Sequence, residues 1–119
     1  MSNFNFDHIN ITTAKENKTL EFFREVLGFD NGHRPPFPFA GEWLYSGGQA
    51  IIHAITPDIN NKQTQFGHVA FRGKERAEAI IERIESLGFK HLSTIVPDSG
   101  EVQIFVDLDG LTIEIITPS

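Results

Sequence analysis

Cysteine is missing from all 119 residues. Disulfides, thiolate metal sites and cysteine nucleophiles are excluded together. A basic run is missing too: ten Lys and Arg stand against sixteen Asp and Glu, for a net charge of −6. Nucleic-acid surfaces need clustered Lys or Arg, so nucleic acid is not an expected partner. No apolar stretch approaches the roughly eighteen residues that a membrane-spanning helix requires. The opening Met1-Ser2-Asn3-Phe4-Asn5-Phe6-Asp7 lacks the basic-then-apolar pattern of a secretory leader. The expected address is the cytoplasm, with no membrane partner. No segment is of low complexity. What the chain does have is an ordinary 39% of hydrophobic residues, eleven of all its residues being Phe. That suits one domain with an aromatic-rich core.

The organising feature is an internal repeat. Phe66-Gly67-His68-Val69-Ala70-Phe71 echoes Phe6-Asp7-His8-Ile9-Asn10-Ile11 sixty positions earlier, and Leu87-Gly88-Phe89 echoes Leu27-Gly28-Phe29 at the same offset. At an offset of sixty-one, Ile113-Glu114-Ile115-Ile116-Thr117-Pro118 matches Ile52-His53-Ala54-Ile55-Thr56-Pro57. The chain therefore reads as a single domain, 1–119, made of two copies of one unit. Module one covers about 4–57, a linker about 58–65, and module two about 66–118.

Local patterns predict the same elements in each copy. In the first, alternation predicts a strand over Phe4–Thr12, with Phe4, Phe6, His8 and Asn10 on one face. Thr13 and Glu16 form a candidate capping box for a helix running to about Leu27. Leu20, Phe23 and Leu27 mark its buried stripe, and Phe22 and Val26 widen it. Gly28 suits the position after the helix. A short strand begins at Phe29. Three prolines in Arg34-Pro35-Pro36-Phe37-Pro38 make the next segment a stiff loop. Glu42–Ser46 and Gln49–Thr56 then read as a hairpin about Gly47-Gly48. In the second copy, Phe66–Arg72 is a strand. Glu75–Leu87 is a helix with Ala77, Ile80, Ile81, Ile84 and Leu87 on its stripe, closed by Gly88. His91–Val96, Val102–Asp107 and Leu111–Thr117 are strands.

Four polar residues stand out within apolar strands. Glu114 is flanked by isoleucines on a strand apolar on both faces, so it should be at least partly buried. A buried carboxylate needs a partner or a proton. His53 lies in an equally apolar run, and His8 and His68 lie on the opening strands. Taken singly, each has a plainer reading: a satisfied strand histidine, or a Glu paired with a Lys, an Arg or a backbone donor. Their pairing across the repeat, His8 with His68 and His53 with Glu114, favours a shared function. Imidazole and carboxylate suit zinc, nickel, iron(II), manganese or cobalt.

These residues resemble the vicinal oxygen chelate superfamily of glyoxalases, bleomycin-resistance proteins and extradiol dioxygenases. The resemblance spans the whole chain. Its carriers are Asp7-His8-Ile9, Phe22-Phe23-Arg24-Glu25-Val26-Leu27-Gly28-Phe29, Gly67-His68-Val69-Ala70-Phe71 and Val106-Asp107-Leu108-Asp109-Gly110-Leu111-Thr112-Ile113-Glu114. It implies an α+β fold in which two βαβββ modules form a cupped, mixed eight-stranded sheet around a cleft, with helices outside. It implies a divalent metal held by His8, His68 and Glu114, with His53 at the fourth position, where metal-dependent relatives often carry Glu or Gln. Glu114 and His53 are the expected proton-moving groups.

The Arg34–Trp43 segment is similar to glyoxalase-like proteins with Arg-Pro-Pro-Phe before Trp-Leu-Tyr. Arg34 is expected to clamp a substrate carboxylate, and Phe37, Phe39 and Trp43 to form an apolar wall or cover a dimer interface. Asn10, Gln103 and Phe105 complete the expected substrate contacts. His33 and His91 are expected to be exposed. Thr12 and Pro57 stand where bacterial glyoxalases carry an Arg and an Asn for glutathione. The implied function is a metal-dependent, glyoxalase-like lyase or isomerase acting on a small oxygenated carbonyl compound, as a homodimer. The alternatives are an iron(II) ring-cleaving dioxygenase and a non-catalytic small-molecule binder of the bleomycin-resistance type.

Overall fold

A computed structural model describes residues 2–58 and 63–119. Positions 59–62 of the expected linker lie outside the described residues. The elements are β1 (Phe4–Thr12), α1 (Lys18–Glu25), β2 (Asp30–Gly32), β3 (Gly41–Ser46), β4 (Gln49–Ile55), β5 (Gln65–Gly73), α2 (Ala77–Ser86), β6 (His91–Ile95), β7 (Val102–Leu108) and β8 (Leu111–Thr117). Each half is β-α-β-β-β, as the repeat predicts. Among the described residues no helix is long and apolar enough to cross a membrane.

Two compact units emerge: His8–Gly67, and Met1–Asp7 together with His68–Ser119. The division passes through β1 and β5, so residues 4–7 pack with the second half rather than with their own.

In the unit His8–Gly67, strands lie in the order β2-β3-β4-β1. β2/β3 and β3/β4 are antiparallel, and β4/β1 is parallel, pairing Ile9 with Ile52, Asn10 with His53 and Ile11 with Ala54. A parallel pair needs a crossover long enough to hold a helix, and the segment between β1 and β4 supplies α1. Ile11, Leu20, Leu44, Ile52 and Ala54 form the core, with Phe23 and Phe29 stacked at its edge at 6.0 Å. The Gly47-Gly48 turn has positive φ at both residues, +58° and +81°, as a two-residue hairpin linker requires.

Helix α1 departs from expectation. It starts at Lys18 with Asn17 at the cap position and no side-chain capping bond. Thr13 is buried; its hydroxyl pairs with that of Thr64 at 2.8 Å and accepts from Asn17 Nδ2 at 3.3 Å. With its oxygen so engaged, Thr13 does not cap, and Asn17 N–H bonds back to Ala14 O across a turn before the helix begins. The helix is only eight residues long. Leu20 and Phe23 face the core, while Phe22, Val26 and Leu27 are exposed.

In the other unit the order is β5-β8-β7-β6. β5/β8 is parallel; β8/β7 and β7/β6 are antiparallel. Helix α2 begins at Ala77, two residues later than expected. Ala77, Ile80 and Ile84 meet Val102, Ile104 and Val106, with Phe4, Ile81, Leu108 and Ile115 packed against them. Leu87, expected on the buried stripe, follows the last helical turn and is exposed. Phe4 lies so close to Gly73 that a Cβ there would sit 2.4 Å from its ring. Arg72 donates to Asp7 Oδ1 at 3.0 Å and also bonds Glu101.

Arg83 grips Glu75 through two parallel bonds of 2.7 and 2.8 Å, and this hydrogen bonding holds the Glu75 carboxyl below the usual carboxylate range. A carboxyl depressed on folding stabilises above its unfolded value, and that contribution fades as pH falls through its folded value. Glu75→Gln should therefore lower the melting temperature slightly at pH 7, with the difference from wild type vanishing in strong acid. Gly73→Ala should cost about 1–3 kcal/mol by overpacking in urea denaturation. The cost should be smaller in a Phe4→Ala background, where the ring is gone.

Candidate metal centre

Strand order places the histidines of the unit His8–Gly67. β4 lies between β1 and β3, so His53 pairs with Asn10 on one side and Trp43 on the other. The Trp43 and His53 rings stack at 3.6 Å and 11°. His8 stacks on His53 at 3.4 Å and 15°. The three rings form a column with His53 in the middle, and Phe37 leans on Trp43 at 6.2 Å. His53 Nε2 lies 3.1 Å from Ala50 O. A carbonyl oxygen only accepts, so Nε2 carries the hydrogen and the lone pair of the neutral ring is on Nδ1. A backbone carbonyl holding the far ring nitrogen is the usual way a ligating histidine is oriented. His8 is almost wholly buried.

Asn10, expected to meet substrate, serves the backbone. Its Nδ2 donates to His53 O at 3.2 Å, and its Oδ1 occupies the place a Cβ on Gly67 would need, 2.0 Å away. It fastens β1 to β4.

The proline-rich loop is closed by Arg34. Its guanidinium lies 5.2 Å from the Phe37 ring and 5.1 Å from the Phe39 ring, and it donates to Phe39 O at 2.9 Å. The two Phe rings stack at 5.3 Å. A Cβ on Gly41 would fall 2.8 Å from Arg34 Nη2 and 2.4 Å from Ala54 O, so β3 begins where only hydrogen fits. Burial lowers the Arg34 pKa from its usual value, although a guanidinium remains charged. Arg34 thus clasps its own loop. Phe37 and Trp43 extend the ring column; Phe39 is nearly half exposed.

In the unit containing residues 68–119, Glu114 is 2% exposed. The parallel β5/β8 register pairs Ala70 with Glu114, which puts His68 two positions away on the same face. Glu114 Oε1 lies 2.7 Å from His68 Nε2. Glu114 Oε2 accepts from Gln103 Nε2 at 3.0 Å. Gln103 Oε1 accepts in turn from Thr94 Oγ1 at 2.9 Å. Phe105, the register partner of Glu114, sets its ring edge-on to His68 at 5.4 Å. Sequence reasoning found every member of this cluster except Thr94, whose pairing with Gln103 depends on the β6/β7 register. His33 is exposed, as expected. His91 is not: it is half-buried, with Nε2 3.0 Å from Glu85 Oε2, because its strand pairs it inward against Val106.

The structure thus joins His8 to His53 in one unit and His68 to Glu114 in the other. The donor chemistry fits a divalent ion. One imidazole has its far nitrogen held by a carbonyl, and the carboxylate is shielded from water and hydrogen-bonded at both oxygens.

The sequence model of the Glyoxalase/Bleomycin resistance protein/Dioxygenase superfamily matches residues 5–115. Glyoxylase I 4 of Arabidopsis thaliana is 28% identical over 120 residues, spanning 92% of this chain and 68% of its own length. Among solved structures, methylmalonyl-CoA epimerase from Mycobacterium tuberculosis superposes with a TM-score of 0.75 at 19% identity, covering 96% of this chain and 87% of that one. A variant of Streptomyces coelicolor methylmalonyl-CoA epimerase in complex with 2-nitronate-propionyl-CoA gives 0.74 at 21%, covering 99% of both chains. At these identities the structural likeness establishes the mixed α+β fold alone.

The ring column is open to test in metal-free protein. A double-mutant cycle with Trp43→Leu and His53→Leu, followed by urea denaturation, should give a coupling of about 0.5–1.5 kcal/mol. Additive losses would mean the stacked rings do not interact.

Proposed function

This chain belongs to the glyoxalase/bleomycin resistance protein/dioxygenase superfamily, and from that premise we propose that it is a metal-dependent lyase or isomerase acting on a small oxygenated carbonyl compound. His8, His53, His68 and Glu114 would hold the ion, two from each copy of the repeat. When bound, a divalent ion supplies Lewis-acid stabilisation of negative charge on a substrate oxygen. The observation that carries the reading is Glu114, a carboxylate 2% exposed with a histidine on one oxygen and an amide on the other. A buried carboxylate beside an imidazole is suited to moving a proton at a carbon next to a carbonyl.

In this reading the chain's residues divide the work. Glu114 is the group at which a proton is held or passed on. His53 Nδ1, its ring pinned between His8 and Trp43, is the second candidate. Trp43 and Phe37 keep water off one wall, and Phe105 packs behind His68. Arg34, seated against Phe37 and Phe39, is the cation proposed for a substrate carboxylate. An epimerase, as its name says, inverts a centre, which supports isomerisation over oxygen chemistry, and the Arabidopsis relative is named a glyoxylase I. Thr12 and Pro57, in place of glutathione-holding residues, favour a substrate other than a glutathione adduct. The chain would act in the cytoplasm as a homodimer, with exposed Phe22 and Val26 offering apolar surface for pairing.

Metal titration of the purified protein, followed by calorimetry, tests the reading. Wild type should bind one divalent ion per four-residue set, and Glu114→Gln and His68→Ala should each weaken binding by about 100-fold or more. The loaded enzyme should exchange the hydrogen beside a carbonyl of small 2-oxoaldehyde adducts or acyl thioesters in deuterated water. Oxygen uptake with bound iron would replace this reading by an oxygenase, and absence of any metal affinity would replace it by a binding protein.

A further inference from the structure

The hydrogen bonds around Gln103 carry a consequence for Glu114. A glutamine amide has one end that only accepts and one that only donates. Thr94 Oγ1 donates to Gln103 Oε1 at 2.9 Å, and Gln103 Nε2 donates to Glu114 Oε2 at 3.0 Å. The flipped amide would turn its oxygen toward Glu114 Oε2, which accepts in this contact, acceptor against acceptor. A threonine hydroxyl can serve either way; the carboxylate cannot. The two contacts together fix the amide orientation, with Oε1 of Gln103 on Thr94 and its Nε2 a donor on Glu114 Oε2. The second oxygen, Oε1, is the one turned to His68 at 2.7 Å.

We infer that Gln103 is a positioning residue, not a substrate contact. With Thr94 behind it, Gln103 engages Oε2 and so would leave Oε1, the oxygen beside His68, as the one Glu114 offers to a metal. The β7/β8 register explains why Gln103 can do this. Phe105 is the residue opposite Glu114 and Gln103 is two positions along on the same face, so its longer side chain reaches the carboxylate diagonally. The β6/β7 register sets Thr94 directly opposite Gln103, where its hydroxyl meets the amide oxygen. Thr94 is exposed and Glu114 is buried. The chain Thr94–Gln103–Glu114–His68 runs from the edge strand inward, each link fixing the direction of the next.

The inference rests on the metal reading of Glu114, and the tests separate the two. In metal-free protein, a crystal structure of Gln103→Leu should show Glu114 Oε1 moved beyond hydrogen-bond distance of His68 Nε2, and the melting temperature should fall because a buried carboxylate oxygen loses its donor. In cobalt(II) titrations against a chelator, Gln103→Leu should bind about 10–100-fold more weakly, the usual effect of losing a residue that orients a ligand, with an altered visible spectrum. Thr94→Val should shift affinity in the same direction by less, and Thr94→Ser, which keeps the hydroxyl, should restore wild-type behaviour. If Glu114 stays on His68 in Gln103→Leu, the inference is overturned whether or not the protein takes up metal. If Glu114→Gln weakens cobalt binding while Gln103→Leu leaves affinity and spectrum unchanged, the positioning role is overturned and the metal reading stands. If Glu114→Gln leaves affinity unchanged, the metal reading fails and this inference falls with it.

Discussion

A carboxylate inside a sheet is the constraint around which the second half of this protein is arranged. Removing a charge from water is costly unless hydrogen bonds replace the lost hydration. At Glu114 the replacement comes from two directions, His68 on the parallel neighbour β5 and Gln103 on the antiparallel neighbour β7. Both neighbours are therefore committed in register. A one-residue slip of either strand would turn His68 or Gln103 to the opposite face, leaving the charge without its partners. The isoleucines flanking Glu114 define a core strand; the polar exceptions on either side define which residues must face one another.

Much of this was readable from the chain. Strand limits followed from alternation to within about two residues, and the hairpin at Gly47-Gly48 and the helix ends at Gly28 and Gly88 followed from residues that tolerate positive φ. The duplicated motifs picked out His8, His53, His68 and Glu114 before any geometry was available. What escaped was decided by distant partners. Thr13 looks like a helix cap because capping is local, yet its hydroxyl is taken by Thr64, fifty-one residues away. Phe22, Val26 and Leu27 look like a widened apolar stripe, but a helix of eight residues turns only a narrow face inward.

The candidate site was legible in identity more than in arrangement. That His53 is sandwiched between His8 and Trp43 depends on β4 lying between β1 and β3, an order that no run of residues states. Arg34 was expected to face a ligand from its charge and from the resemblance of its loop; the structure shows how much of its bonding goes to that loop. Thr94 has no local signal at all, because its importance arises only when β6 pairs with β7. Pairwise register, rather than composition, separates residues that chemistry makes eligible from residues that geometry puts to use.

The passage of the unit boundary through β1 has a bearing on how the protein is made. Phe4 closes the core formed by α2 and β7, and Asp7 is tied to Arg72. On a ribosome these early residues emerge well before any of those partners exist. The core of the unit His8–Gly67 draws on Ile11, Leu20, Leu44, Ile52 and Ala54, whereas the core of α2 and β7 includes Phe4 from the start of the chain. A nascent chain stalled before α2 would carry an apolar phenylalanine without the core that receives it.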